Sequence, residues 1–212
     1  MNGILYDLLL SASERKILHP LRERLLRPIR GAVVEIGAGT GATFSYYGSE
    51  AQVIAVEPDP SMLERAENRA KGAAARIDVR RGDDRFLDEV ASDSLDAVVF
   101  SLLLCSVEDP LRVLSSARRV LNADGKLILI EHVRSPGCLG SMQDALTPLW
   151  GFLMGGCHLN CQSARLIQGA GFEIGGLERE RVAKYFIIQE LIHGSLALHG
   201  VLGPNESPCG AR

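Results

Sequence analysis

The stretch VVEIGAGTG, residues 33–41, sets a short, mostly apolar run directly before three glycines at alternate positions. Such a run ending in a glycine-rich turn reads as a buried strand that delivers main chain to a ligand. Gly37, Gly39 and Gly41 remove every second side chain, so backbone can approach a bound group and take positive φ where required. The dinucleotide fingerprint, G-x-G-x-x-G, holds a pyrophosphate at a helix N-terminus. Here the spacing is G-x-G-x-G, and Glu35 stands two residues ahead of the first glycine.

An inward carboxylate at that place repels a pyrophosphate and suits a cofactor that carries an ammonium. S-adenosyl-L-methionine has that ammonium and a sulfonium. Glu57, closing the run AQVIAVE at 51–57, lies about 20 residues beyond the turn, where a carboxylate accepts from both hydroxyls of a ribose. NAD and S-adenosylmethionine share that demand, so Glu57 alone does not decide between them. Asp83, in RGDDRF, offers a third carboxylate to an exocyclic adenine amine, with Asp84 as the adjacent alternative.

The 212 residues suffice for one domain with a substantial core, and we expect a single domain over 1–202 with a loose tail at 203–212. Lys+Arg 23 against Asp+Glu 26, with 5% aromatic residues, gives neither the basic field nor the stacking platforms of a nucleic-acid binder. Five cysteines, an odd number, suit a reducing cytoplasm better than a paired secreted framework. Neither a secretion signal nor a membrane-crossing helix is expected, because charge or proline interrupts each apolar run too soon. Residues 1–30 read as a helical cap on the domain; six basic residues there against three acidic ones also suit peripheral contact with anionic lipid.

Strand-like runs at 32–36, 51–57, 76–81, 95–102 and 125–133 alternate with helical patterns at 61–71 and 109–121, the latter opened by Asp109-Pro110 as N-cap and N1. This alternation predicts an α/β parallel sheet covered on both faces. The runs 172–182 and 193–200 lack a crossover helix between them and predict an antiparallel pair at the sheet edge. Residues 134–162 read as an insertion at the carboxyl end of the fifth strand, on the side where substrate sites are built.

These motifs resemble those of class I S-adenosylmethionine-dependent methyltransferases: VVEIGAGTG their first, VIAVEPDPSML their second, GDD the adenine-side acid, and residues 95–133 the unit of strands four and five. Within that superfamily SLLLCSVED, EHV and ALTPLWGFLMGGCHL are most similar to methyltransferase-like proteins that methylate alkyl thiols, and more distantly to quinone-type methyltransferases. The resemblance implies a Rossmann-like, seven-stranded, mostly parallel sheet in the order 3-2-1-4-5-7-6 with an antiparallel last strand. It further implies that Gly37, Gly39 and Gly41 border the methionine portion, Glu57 holds the ribose, Pro58 and Met62 border adenine, and Asp83 takes its amine. Ser101 and Leu102 would face the methionine moiety, and the product would be S-adenosyl-L-homocysteine.

Methyl transfer needs alignment and desolvation more than a base. A thiol ionises partly near neutrality, whereas a phenol benefits from a proton acceptor, for which His132 in IEHV is the catalytic candidate. No metal is expected: the spacing Cys157-His158-x-x-Cys161 is cramped and lacks a fourth ligand. Cys105 reads as a packing thiol near the site. Trp150, Phe152, Leu153 and Met154 form a candidate apolar wall, and Tyr6, Tyr46, Tyr47 and Tyr185 candidate pocket edges. The expected activity is methylation of a small lipophilic acceptor, thiol sulfur ahead of oxygen or nitrogen. A nicotinamide oxidoreductase and a non-catalytic, membrane-recruited cofactor-binding scaffold are the competing classes.

Overall fold

Seven strands form one sheet in the order β3-β2-β1-β4-β5-β7-β6, in a computed structural model that describes residues 18–153, 157–184 and 187–198. The strands are β1 Gly31–Ile36, β2 Ala51–Glu57, β3 Arg76–Arg81, β4 Leu95–Ser101, β5 Leu121–Val133, β6 Glu178–Lys184 and β7 Ile187–Leu196. The first five run parallel, and β7 is antiparallel to both β5 and β6. Six helices accompany them among the described residues: α1 His19–Leu26, α2 Pro60–Ala70, α3 Phe86–Glu89, α4 Pro110–Val120, α5 Gly137–Leu153 and α6 Ser163–Gly169.

Alternation along the central strands sorts their side chains into two cores. Val34, Ile36, Val98, Phe100, Leu127 and Leu129 pack under α4 and α6, on Val113, Leu114, Ala117 and Ile167. Val33, Ala55, Val99, Ile128 and Ile130 pack on the other face with Leu21, Leu25, Leu26, Phe44 and Tyr47. Helix starts follow their caps: an Asp59 carboxylate oxygen accepts from the amides of Ser61 and Met62, one of Asp109 accepts from Arg112 N at 3.0 Å, and proline follows each cap.

Boundaries move where tertiary pairing overrides turn chemistry. β5 starts four residues before Gly125 because Leu121 already pairs with Leu95, and the register then shifts before Lys126 meets Ala97. The edge hairpin lies at 178–184 and 187–196 rather than at 172–182 and 193–200. Phe172 is buried in a single bridge to Leu198, and the charged run from Glu178 becomes the outer strand. The polar-looking QELIHG is the inner strand instead, pairing Glu190 with Val133 and His193 with Ile130. Residues 137–153 of the expected insertion form α5, which continues through Pro148.

Helix α1 belongs to the body of the domain. Arg22 is buried, and Arg24 and Arg30 form exposed ion pairs with Glu178 at 3.2 Å and Glu50 at 2.6 Å, so three of the six basic residues are engaged by the protein. Arg15, Lys16 and the remainder of the expected cap to residue 17, with Tyr6, Met154, Tyr185, Cys209 and the tail, lie outside the described residues. No described helix is long and apolar enough to cross a membrane.

Candidate active site

A cavity of about 800 Å³ opens over the carboxyl ends of β1 to β4, where each strand hands its chain to a loop. Glu57, Asp59, Asp83, Asp84, Glu108 and Asp109 line it against only Arg85 and Arg112. Six carboxylates facing two guanidiniums make a negative field, which suits a cation and opposes a pyrophosphate. Arg112 is itself held by Asp84 and by Asp88, the latter at 2.9 Å, which leaves the other acids in excess.

The second-strand acid is built into this cavity. Glu57 accepts from the Gly39 amide at 2.8 Å and the Asp59 amide at 2.9 Å, one bond to each oxygen. Each oxygen keeps a second lone pair, so a pair of ribose hydroxyls can still donate to it. Burial raises its pKa, and the two amides oppose that rise. Gly39, at φ 58°, would direct a Cβ into open space. Its bare backbone is therefore a wall of the cavity, and a side chain there would occupy ligand volume.

Two further features suit a bound amino acid end. Ser101 Oγ is buried without a hydrogen-bond partner although the residue lines the cavity. Leu102 holds φ 60°, a costly conformation for a side chain branched at Cγ, and its amide is fixed to Ile130 O at 2.8 Å. Pro58, Met62 and Asp83 line the opposite part. An adenosyl group with a cationic amino acid tail fits this volume, charge and donor arrangement.

Two expected residues do not reach the cavity. Glu35 shares the face of Val33, pointing under α1, and is fully buried. Thr43 Oγ1 and Tyr47 Oη donate to it at 2.8 Å each, so its partners are hydroxyls of the chain itself. Desolvation raises its pKa to about 7, opposed by those two hydroxyls and by the Arg22 charge. Gly41 is likewise absent from the cavity wall: a Cβ there would meet the Phe44 ring at 2.6 Å and the Ala66 backbone at 3.2 Å, so this glycine serves close packing. Of the tyrosines, Tyr47 serves Glu35 and Tyr46 accompanies His19.

Beyond β4 the chemistry changes from carboxylates to sulfur. Buried Glu131 of β5 accepts from the amides of Leu103 at 2.8 Å and Leu104 at 2.9 Å, fixing the β4–α4 loop. Its second oxygen is buried without a partner, and desolvation raises its pKa to about 8. Cys105 Sγ lies 3.5 Å from Cys157 Sγ, and the His158 amide donates to Cys105 O at 2.7 Å, which fastens the two segments together. The thiols titrate as a pair: the hydrogen bond between them lowers Cys157 and, with burial, raises Cys105.

His132 and Trp150 also favour the Cys157 thiolate, yet His132 Nδ1 and Trp150 Nε1 are buried without a well-aligned hydrogen bond. Trp150 is thus beside the sulfur pair, as one member of the expected apolar wall; of Phe152 and Leu153 only the backbone is described. Exposed His158 stands outside this group, although its place between Cys157 and Cys161 drew attention in the sequence. Sequence reasoning missed Asp59, Ser106, Glu108, Arg112 and Glu131. Asp59 and the CSVED stretch adjoin recognised motifs and could have been found by that adjacency; nothing local marks Glu131.

A methyltransferase domain family profile matches residues 34–129. The human thiol S-methyltransferase TMT1B is 34% identical over 183 residues, 79% of this chain and 73% of its own length. Its rat counterpart is 35% identical over 153 residues, 69% of this chain and 62% of its length. Among solved structures, the YcgJ protein of Bacillus subtilis superimposes with a TM-score of 0.67 at 15% identity, covering 86% of this chain and 98% of that one, a likeness of fold.

Proposed function

The chain belongs to the class I S-adenosylmethionine-dependent methyltransferases, and from that premise we propose that it methylates the sulfur of a small, lipophilic thiol. The likeness to thiol S-methyltransferases carries the choice of acceptor, and the acidic cavity supports the choice of methyl donor. The bound cofactor supplies an electrophilic methyl group on a sulfonium. Glu57 receives the ribose hydroxyls on its remaining lone pairs, Asp83, with Asp84 adjacent, takes the adenine amine, and Pro58 and Met62 pack against adenine. Gly37 and Gly39 leave room for the methionine chain, beside which stand Ser101 and Leu102.

The lining carboxylates hold the cation in place, and their attraction falls once the sulfonium becomes a neutral thioether in S-adenosylhomocysteine. The chain's main contribution to rate is alignment of the acceptor with the methyl group. A thiol needs no dedicated base, because its ordinary pKa of about 8.5 leaves some thiolate at neutral pH. His132 would serve as proton acceptor only for the alternative phenol-type oxygen acceptor.

The four described cysteines are free thiols, with those of Cys105 and Cys157 3.5 Å apart. The test is S-adenosylhomocysteine release across a panel of alkyl thiols, phenols and amines. Turnover is expected with lipophilic thiols; turnover confined to phenols or amines would replace this reading with oxygen or nitrogen methylation.

A further inference from the structure

The loop after β4, the end of β5 and the segment after α5 bring Cys105, His132 and Cys157 together, with one ligand atom from each within 4.8 Å of the others. Tetrahedral zinc, with Zn–S near 2.3 Å and Zn–N near 2.0–2.1 Å, keeps its ligand atoms roughly 3.3–3.8 Å apart. The sulfurs already stand at 3.5 Å, so only the imidazole needs to close in, by at most about 1.5 Å. The backbone bond from His158 to Cys105 and the grip of Glu131 on Leu103 and Leu104 hold the two sulfur-bearing segments in place.

One orphaned atom points to something that belongs there: His132 Nδ1, a member of this cluster, is buried without a hydrogen-bond partner. We propose that Cys105, His132 and Cys157 bind one Zn²⁺ ion, leaving its fourth position open toward the cofactor cavity. Two sulfurs and an imidazole nitrogen are a donor set that selects zinc over magnesium or calcium. Two thiolates also cancel the charge of the dication, which allows the loaded site to remain buried.

The direction of the open position follows from the neighbours of Cys105. Its sulfur lies 3.7 Å from Leu102 O and 3.6 Å from Ser106 Oγ, and both residues line the cavity. A thiol acceptor at that position would coordinate as thiolate, a consequence that rests on the thiol reading, whereas metal binding does not. On coordination the thiol gives its proton to solvent. Its sulfur lone pair then forms the new S–C bond, while the electron pair of the broken C–S⁺ bond remains on the departing S-adenosylhomocysteine.

The full chain, purified under a phosphine reductant without chelator and dialysed against zinc, is assayed for bound metal, and separately titrated with cobalt(II). About one zinc per chain and thiolate-to-cobalt charge-transfer absorption are expected in wild type and in Cys138→Ser. Cys105→Ser/Cys157→Ser should lose both signals, and His132→Gln should weaken metal binding by at least about tenfold. Wild-type chain that binds no zinc, a Cys105–Cys157 disulfide persisting under the reductant, or metal retained in the double variant would overturn the site. If the double variant does not fold, chelator titration of cobalt-loaded wild type and of His132→Gln decides instead, with equal affinities counting against the site. Thiol turnover by verified metal-free chain would remove the coordination role and leave the thiol reading intact; metal binding without turnover of any thiol would do the reverse.

Discussion

The carboxyl ends of β1–β3 and those of β4–β5 contribute to one cleft by opposite means. The first region presents hard, charged oxygen, and Glu57 is held by the amide of Asp59, two residues on, and by that of Gly39 in the loop after the neighbouring strand β1. The second presents sulfur and an imidazole, assembled from Cys105, His132 and Cys157 across wide gaps in sequence. Each strand-end acid in the first region can be reached by a ligand without disturbing the fold. In the second, Cys105 is buried and His132 and Cys157 are half-buried, with His132 Nδ1 itself shielded from solvent and unpartnered. The contrast teaches that the carboxyl ends of one sheet can carry an open electrostatic cradle and a half-buried cluster of sulfur and imidazole side by side.

The sharpest way to break this comparison is Glu57→Ala. Losing two charge-assisted hydrogen bonds to a ribose should cost about 4 kcal/mol, roughly a thousandfold in S-adenosylhomocysteine affinity by calorimetry. A change below about tenfold would mean that the first region is not the cradle described.

Glu35 gives the next largest effect, and it separates an acid of the core from an acid of the cavity. Its pKa is raised from the ordinary 4.5 to about 7, so between these values the folded chain holds a proton that the unfolded chain has released. Glu35 alone should therefore lower stability by about 3 kcal/mol as pH rises through that window, and buried Glu131, raised to about 8, adds a fall of the same sign that continues to higher pH. Thr43, Tyr47 and Arg22 are the groups that face this carboxyl. Glu35→Gln should reduce the slope of the denaturation profile over that range and leave the part due to Glu131, whereas an unchanged slope would assign it to other groups.

Substitutions at the glycines sharpen the boundary further. Gly41→Ala forces a Cβ on Phe44 and the Ala66 backbone at positive φ and should destabilise the fold by about 2 kcal/mol in urea titrations. Gly39→Ala has open space around it, so apart from a cost of about 1 kcal/mol for its φ the loss should appear as about tenfold weaker cofactor binding. The reverse pattern would exchange the roles of these two positions. Smallest of all, Arg24→Ala removes an exposed pair with Glu178 on α1 and should shift stability by less than about 1 kcal/mol, a control outside both regions.

Much of this was legible in the residues because the signals are local. Alternating apolar runs and helix patterns, with glycines and acids at strand ends, pointed to the sheet and to Glu57, Pro58, Met62 and Asp83 as neighbours of one cavity, which they line. Strand ends were misjudged where a turn-like sequence lay inside a ladder, as at Asn122 to Gly125 and in QELIHG, since pairing partners outweigh local turn preference. Glu35 was placed toward the cofactor from its nearness to the glycines, but its face is fixed by strand parity: it falls with Val33 on the α1 side.

By itself the sequence determined the layered α/β class and the acidic strand ends, because each depends on residues within a few positions of one another, while the class of cofactor followed from the resemblance of whole motifs. Only the tertiary structure decided that Glu35 and Gly41 serve the core and that Cys105, rather than Cys161, joins His132 and Cys157. The physical reason is that these outcomes depend on which face a strand turns inward and which distant loops a backbone hydrogen bond fastens together. No spacing along the chain encodes either.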